Sequence, residues 1–165
     1  MRRILSILVT LVWGLWFGGL IVLFMSVTTL FRTFADRHDI AGQGAAKIFH
    51  LFNEYQLVLA VIALITTFVW RVLGPPRLKE LLFALFAIAT VGGCTVSLYL
   101  APRIEALQRQ GLTHSTQFGR LHGYSMIAYT AEVAVLLVAG IMLPWINDLR
   151  AENVDRQDAK APTNS

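Results

Sequence analysis

Between Ile4 and Phe31 the chain runs through 28 consecutive residues without one charged side chain. About 20 apolar residues in a helix cross the hydrocarbon core of a bilayer, and a helix satisfies its own backbone there. A signal-peptide core is shorter, about 7–15 apolar residues ahead of a small-residue cleavage site. The run therefore predicts a retained membrane helix rather than a cleaved leader. Two more uncharged runs follow, Tyr55 to Trp70 and Leu81 to Pro102, and the stretch from Leu121 to Trp145 contains no Lys or Arg and a single acidic residue, Glu132. Composition agrees: charged residues make up 15% of the chain, against about 25% in an ordinary soluble domain.

The expected fold is an all-α, four-helix polytopic transmembrane bundle with antiparallel neighbours, in one domain over residues 1–147. Its helices are placed at about 4–31, 45–73, 79–102 and 117–146, the third with a possible extension past Pro102 toward Gln110. Gly14 and Gly18 form a small-xxx-small pair on helix 1, and Ala89 and Gly93 another on helix 3, both read as packing motifs. The segment FRTFADRHDIAGQG, of mixed charge and with two glycines, reads as a solvated connector. Gly74-Pro75-Pro76 makes a sharp stop after helix 2. Thr113, Ser115 and Thr116 are candidate caps for helix 4. Residues 148–165 are polar and mixed in charge, which suits a disordered cytoplasmic tail.

Basic residues give an orientation. The termini and the middle loop hold eight of the fourteen (Arg2, Arg3, Arg71, Arg77, Lys79, Arg150, Arg156 and Lys160), and the other two loops hold six (Arg32, Arg37, Lys47, Arg103, Arg109 and Arg120). The excess places both termini in the cytoplasm. Trp70 and Trp145 are expected at the cytoplasmic interface, with Tyr55, Tyr99 and Tyr124 at the opposite one. The basic residues are scattered over helix ends, so the net charge of +4 implies no nucleic-acid partner. Cys94 is the single cysteine, which excludes an intrachain disulfide and a CxxC motif.

Polar chemistry collects in two places. On helix 4, His122, Ser125, Tyr129 and Glu132 fall at offsets that share one helical face. In the folded topology Glu54, Arg103, Arg120, His122 and Ser125 come to one depth at the outer leaflet, where they form a candidate polar pocket. A structural salt bridge between Glu54 and one of the arginines accounts for the same residues. His50 and His122 sit at similar depth on neighbouring helices and are the candidate metal or haem ligands, although no ligand-spaced motif surrounds them. Glu132 lies near the middle of its span, where a charged carboxylate costs about 2.5–3.5 kcal/mol on insertion scales. It is read as a buried proton-binding or interhelical residue, with Thr90 and the indole N–H of Trp13 or Trp16 as candidate partners.

Four segments carry a family resemblance: Leu15 to Leu20 (LWFGGL), Leu30-Phe31-Arg32, Ala101-Pro102-Arg103 and Phe118 to Ser125 (FGRLHGYS). They resemble the transmembrane protein 205-like proteins, also described as domain of unknown function 4149, and the pattern of Arg120, His122, Gly123 and Ser125 is the most specific part. The resemblance implies a four-helix integral membrane domain; animal members are associated with resistance to platinum drugs. A looser similarity joins the chain to the copper-resistance D and membrane protoporphyrinogen-oxidase families, which use histidines within their helices; helix 1 here has none.

No nucleophile and base pair, phosphate loop or metal-spaced motif appears, so the sequence assigns no catalytic residue. Three functions stay open. The first is handling of a small solute, ion or metal species through the outer-leaflet pocket, alone, as a homo-oligomer or with another membrane protein. The second is a non-catalytic scaffold or accessory subunit. The third is a haem- or copper-binding redox protein, though no cofactor is expected. The expected location is the bilayer of a bacterial inner membrane.

Overall fold

The structure, a computed structural model, describes residues 2–72 and 77–158. Among these residues four helical rods are long and apolar enough to cross a membrane. The first is α1 (Arg2–Thr33) and the second α2 (His38–Val72). The third is a composite of α3 (Arg77–Cys94), a π-helical turn (Thr95–Leu100) and α4 (Ala101–Arg109). The fourth is α5 (Thr116–Asp158). The chain is a multi-pass membrane protein, and the bilayer is the environment its outer surface requires.

Consecutive rods alternate in direction. Their packing closes a ring: α1 on α2, α2 on α3, α3 on α5 and α5 back on α1, so every neighbour is antiparallel. Each rod turns one stripe inward. On α5 the stripe is Ser125, Tyr129, Glu132, Leu136, Ala139, Leu143 and Ile146, all buried, at alternating spacings of four and three. Such spacing gives a seam that stays on one side of a gently coiled helix. Val9, Val12, Trp16, Leu20 and Leu23 do the same on α1. Outward positions are apolar as well, for example Ile7, Val22, Val61, Ile88 and Ile127, as expected of a lipid-facing surface.

Several boundaries differ from those read in the sequence. α2 begins at His38, so Gly42 and Gly44 lie inside a helix and not in a connector. Glycine weakens a helix by about 1 kcal/mol, but here Gly44 has a packing role. A Cβ at Gly44 would stand 2.9 Å from Leu30 of α1, so the missing side chain lets the two helices close together beside buried Ala41 and Ala45. The connector shrinks to a tight turn in which Arg37 N–H donates to Phe34 O.

The third rod does continue past Pro102, through α4 to Arg109. Proline has no N–H and its ring crowds the carbonyl four residues back. The helix absorbs this by widening: Ala101 N–H bonds Val96 O, five residues back. α4 then ends in a Schellman turn, with Gly111 at φ +72° and Leu112 N–H bonded to Leu107 O. Ser115 resolves the choice of cap for α5, its Oγ accepting Phe118 N–H at 3.2 Å.

At the other end, α5 remains helical to Asp158. The polar segment expected as a disordered tail from residue 148 is thus helical over its first part, because extending an existing helix needs no new nucleus. Residues 159–165 and the Gly74-Pro75-Pro76 stop lie outside the described residues.

Of the two expected packing pairs, Ala89 and Gly93 are buried, with Gly93 against Gln56 of α2, but the pair on α1 is not in contact. Nothing approaches the Cβ positions of Gly14 or Gly18. A Cβ on Gly19 would stand 3.1 Å from Phe52 and Tyr55 of α2, and one on Gly140 of α5 would collide with the indole of Trp13. Trp70 is 2% exposed and belongs to the core, with Lys79 Nζ 5.4 Å from its ring centroid. It is not an interfacial anchor.

Candidate functional site

The polar side chains inside the bundle lie in two linked groups. The first starts at the middle of α5. Glu132 is 2% exposed, and its Oε1 accepts the indole N–H of Trp16 from α1 at 2.6 Å. One turn along, Trp13 donates to the backbone oxygen of Leu136 at 2.7 Å. That bond depends on Gly140, whose bare Cα leaves room for the indole against the α5 backbone. Both tryptophans named as candidate partners are therefore in use, one on the carboxylate and one on the carbonyl next to it.

The second group ties α2 to the third rod and to α5. Tyr129 O–H donates to Asn53 Oδ1 at 2.7 Å, and Gln56 Nε2 reaches the same oxygen at 3.3 Å. Gln56 Nε2 also lies 2.8 Å from Ser97 Oγ and 3.3 Å from Gly93 O. Gln56 is fully buried, Asn53 and Tyr129 nearly so. Gly93 leaves ordinary van der Waals space for the Gln56 amide. Ser97 itself lies within the π turn. Tyr129 is held by Phe49 stacked at 5.6 Å and by Phe24 and Phe52 in edge contacts. Its ring cannot swing away without breaking these contacts.

These bonds join opposite corners of the ring. Asn53 to Tyr129 links α2 with α5, and Trp16 against Phe86 (centroids 6.3 Å apart) links α1 with α3. Among the described residues three buried side-chain atoms lack a hydrogen-bond partner: Glu132 Oε2, Gln56 Oε1 and Thr90 Oγ1. Unpartnered buried groups are rare and ask for an explanation.

The outer-leaflet residues are arranged differently. Ser125 is buried, and its Oγ donates to His122 O on its own helix at 2.8 Å. His122 is exposed and stacks on Phe118 at 5.9 Å. Arg120 is exposed beside a shallow surface groove formed with Thr116, Gln117, Leu121 and Tyr124. Arg103 is exposed, with its guanidinium 3.4 Å from the Tyr99 ring centroid. Glu54 pairs with His50 of the same helix at 3.5 Å, and His50 reaches Glu105 of α4 at 3.5 Å through its other nitrogen. Among the described residues Glu54 forms no ion pair with an arginine. The cross-helix link expected of it is made by His50 instead. His50 and His122 are thus occupied by different neighbours, and among the described residues no three His, Cys, Asp or Glu side chains are placed to hold one metal ion.

Sequence reasoning found Glu132, Ser125 and Tyr129 but passed over Gln56, Asn53 and Ser97 as parts of one network. The available signal was an amide, Gln56, inside an otherwise apolar run, since such a group must be satisfied within the protein.

The fold and its interior define a polytopic membrane protein with a polar layer crossing a four-rod bundle. A domain of unknown function (DUF4149) matches residues 11–113, more than half of the chain, and the chain belongs to that family. The match runs from Leu11 within α1 to the end of α4 and just past it, while the Arg120, His122, Gly123 and Ser125 pattern and Glu132 lie beyond it. No curated protein and no solved structure matches the chain.

Proposed function

We propose that this protein handles a small ion or solute within the membrane, and that the working site is the polar layer from Ser97 through Gln56, Asn53 and Tyr129 to Glu132. Under this reading Glu54, Arg103, Arg120, His122 and Ser125 form the outer approach to the layer. The protein stands in a bacterial inner membrane with both termini in the cytoplasm, alone or as a homo-oligomer. The observation that carries the proposal is Glu132, a mid-span carboxyl with one oxygen bonded to Trp16 and the other unpartnered. An ionisable residue held inside a membrane bundle is expensive and by default marks an ion or proton pathway.

A second reading has its own support. Trp16 to Glu132, Trp13 to Leu136, Tyr129 to Asn53 and Gln56 to Ser97 each connect two rods, as a scaffold would require. Purified protein in liposomes carrying ion-reporting dyes separates the two. Flux above empty liposomes that Glu132→Gln abolishes supports handling; wild type equal to empty liposomes for every ion leaves the scaffold.

A further inference from the structure

The three unpartnered atoms fall within a limited depth of the bundle. Phe86 packs on Trp16, the donor to Glu132, and Gly93 packs on Gln56, the partner of Asn53. Thr90 lies between them on α3, about 6 Å along the axis from Phe86 and about 4.5 Å from Gly93 at 1.5 Å per residue. On α5, Glu132 and Tyr129 are likewise about 4.5 Å apart along the axis. Glu132 Oε2, Gln56 Oε1 and Thr90 Oγ1 are all cut off from the surface. They therefore fall within a slab about two helical turns thick, between the Trp16–Glu132 pair and the Gln56–Asn53–Tyr129 group.

Their chemistry is complementary to one species. The oxygens of Glu132 and Gln56 accept hydrogen bonds, and the hydroxyl of Thr90 donates one. A water molecule donates two and accepts at least one, and buried waters make about three bonds to groups like these. A bare metal cation fits less well, because hard cations take about six or more oxygen ligands and only these three atoms are unspent.

We propose that Glu132 Oε2, Gln56 Oε1 and Thr90 Oγ1 line an internal water site that joins the two polar groups into one hydrogen-bonded chain from Ser97 to Trp16. The chain then touches all four rods. If the ion-handling reading above holds, on which this last step rests, the ion is the proton, since the Glu132 carboxyl, the water and the Thr90 hydroxyl can each exchange one, while a hard cation would need about six oxygens where three atoms are unspent among the described residues.

The test is water-edited solid-state NMR on the full chain in bilayers, with proton and sodium flux measured on the same preparation. The expected result is magnetisation transfer from water to the Glu132 carboxyl and the Gln56 amide, reduced several-fold in Thr90→Val while the thermal unfolding midpoint stays close to wild type. Equal transfer in wild type and Thr90→Val, or none at Glu132 in wild type, overturns the water site whatever the flux shows. Transfer at Glu132 without flux of any ion supports the water site and defeats the proposed function. Sodium flux without proton flux sustains ion handling and overturns the proton assignment.

Discussion

Trp16 on α1 and Glu132 on α5 meet at 2.6 Å although 116 residues separate them in sequence. The bond fixes the register between the first and last rods, and it does so where lipid provides no alternative donor. Removing the donor leaves both oxygens of the buried carboxyl without a partner. Trp16→Phe is expected to destabilise the bundle by about 1–3 kcal/mol, the usual cost of orphaning a buried polar group. Glu132→Gln keeps an acceptor for the indole and is expected to cost less. Replacing both with apolar residues, Trp16→Phe with Glu132→Leu, is expected to cost less than the two single changes added together. Unfolding in mixed micelles with increasing dodecyl sulfate checks the order.

Gly140 and Gly14 make a controlled pair. A methyl group at Gly140 strikes the Trp13 indole, whereas at Gly14 it meets nothing within 4 Å. Gly140→Ala is expected to lose about 1–3 kcal/mol by overpacking and to break the Trp13 bond to Leu136. Gly14→Ala is expected to be neutral or to gain about 0.4–1 kcal/mol through the unfolded state. Thermal midpoints and tryptophan fluorescence report both.

Tyr129 and Asn53 should be coupled. Tyr129→Phe removes a donor while Asn53 Oδ1 still has Gln56, so its cost is expected near the ~0.6 kcal/mol typical of interhelical bonds in membranes. Asn53→Ala strands the tyrosine hydroxyl and costs more. A double-mutant cycle is expected to give a coupling of about 0.6–1.7 kcal/mol, and a value of zero would show that the bond contributes nothing.

His50 bridges Glu54 of its own helix and Glu105 of α4 on the outside of the bundle. With these side chains in contact with solvent, His50→Gln is expected to shift stability by no more than about 1 kcal/mol. A larger loss would mean that the α2–α4 contact has a structural weight its exposure does not suggest.

Orientation has its own test. In a Cys94→Ser background, Asp36→Cys and Gln110→Cys are expected to react with a membrane-impermeant maleimide added to intact spheroplasts, and Arg3→Cys only after lysis. The reverse pattern would invert the proposed topology.

The rods themselves were legible because lipid demands long uncharged runs, and Ile4 to Phe31 is one that no soluble fold needs. Glu132 was legible for the same reason, as a carboxyl where the surroundings allow none. What was hidden depends on rotation and pairing. Gly44 looks like a breaker until Leu30 is seen against it, and Trp70 looks like an anchor until it is found in the core. Gly14 and Gly18 have the spacing of a helix contact, but the α1 stripe that turns inward is the one carrying Val12, Trp16 and Leu20. Gln56 joins Ser97 inside a wide turn, and nothing in TVSLYL announces a wide turn except the proline that follows.

That wide turn gives the third rod two angular frames. A turn closed over five residues holds one residue more than an ordinary turn, about 100° of helical phase. Side chains before Cys94 follow one wheel, and those after Leu100 follow another, lagging by roughly that angle. A helical wheel drawn straight through Thr95–Leu100 would bury Arg103, seven residues beyond buried Val96, whereas it is exposed. Deleting a single residue in this segment would restore an ordinary α-helix and leave the faces of α4 where they are, whereas inserting one would turn them by about 100°. The segment therefore absorbs the loss of one residue more readily than the gain of one.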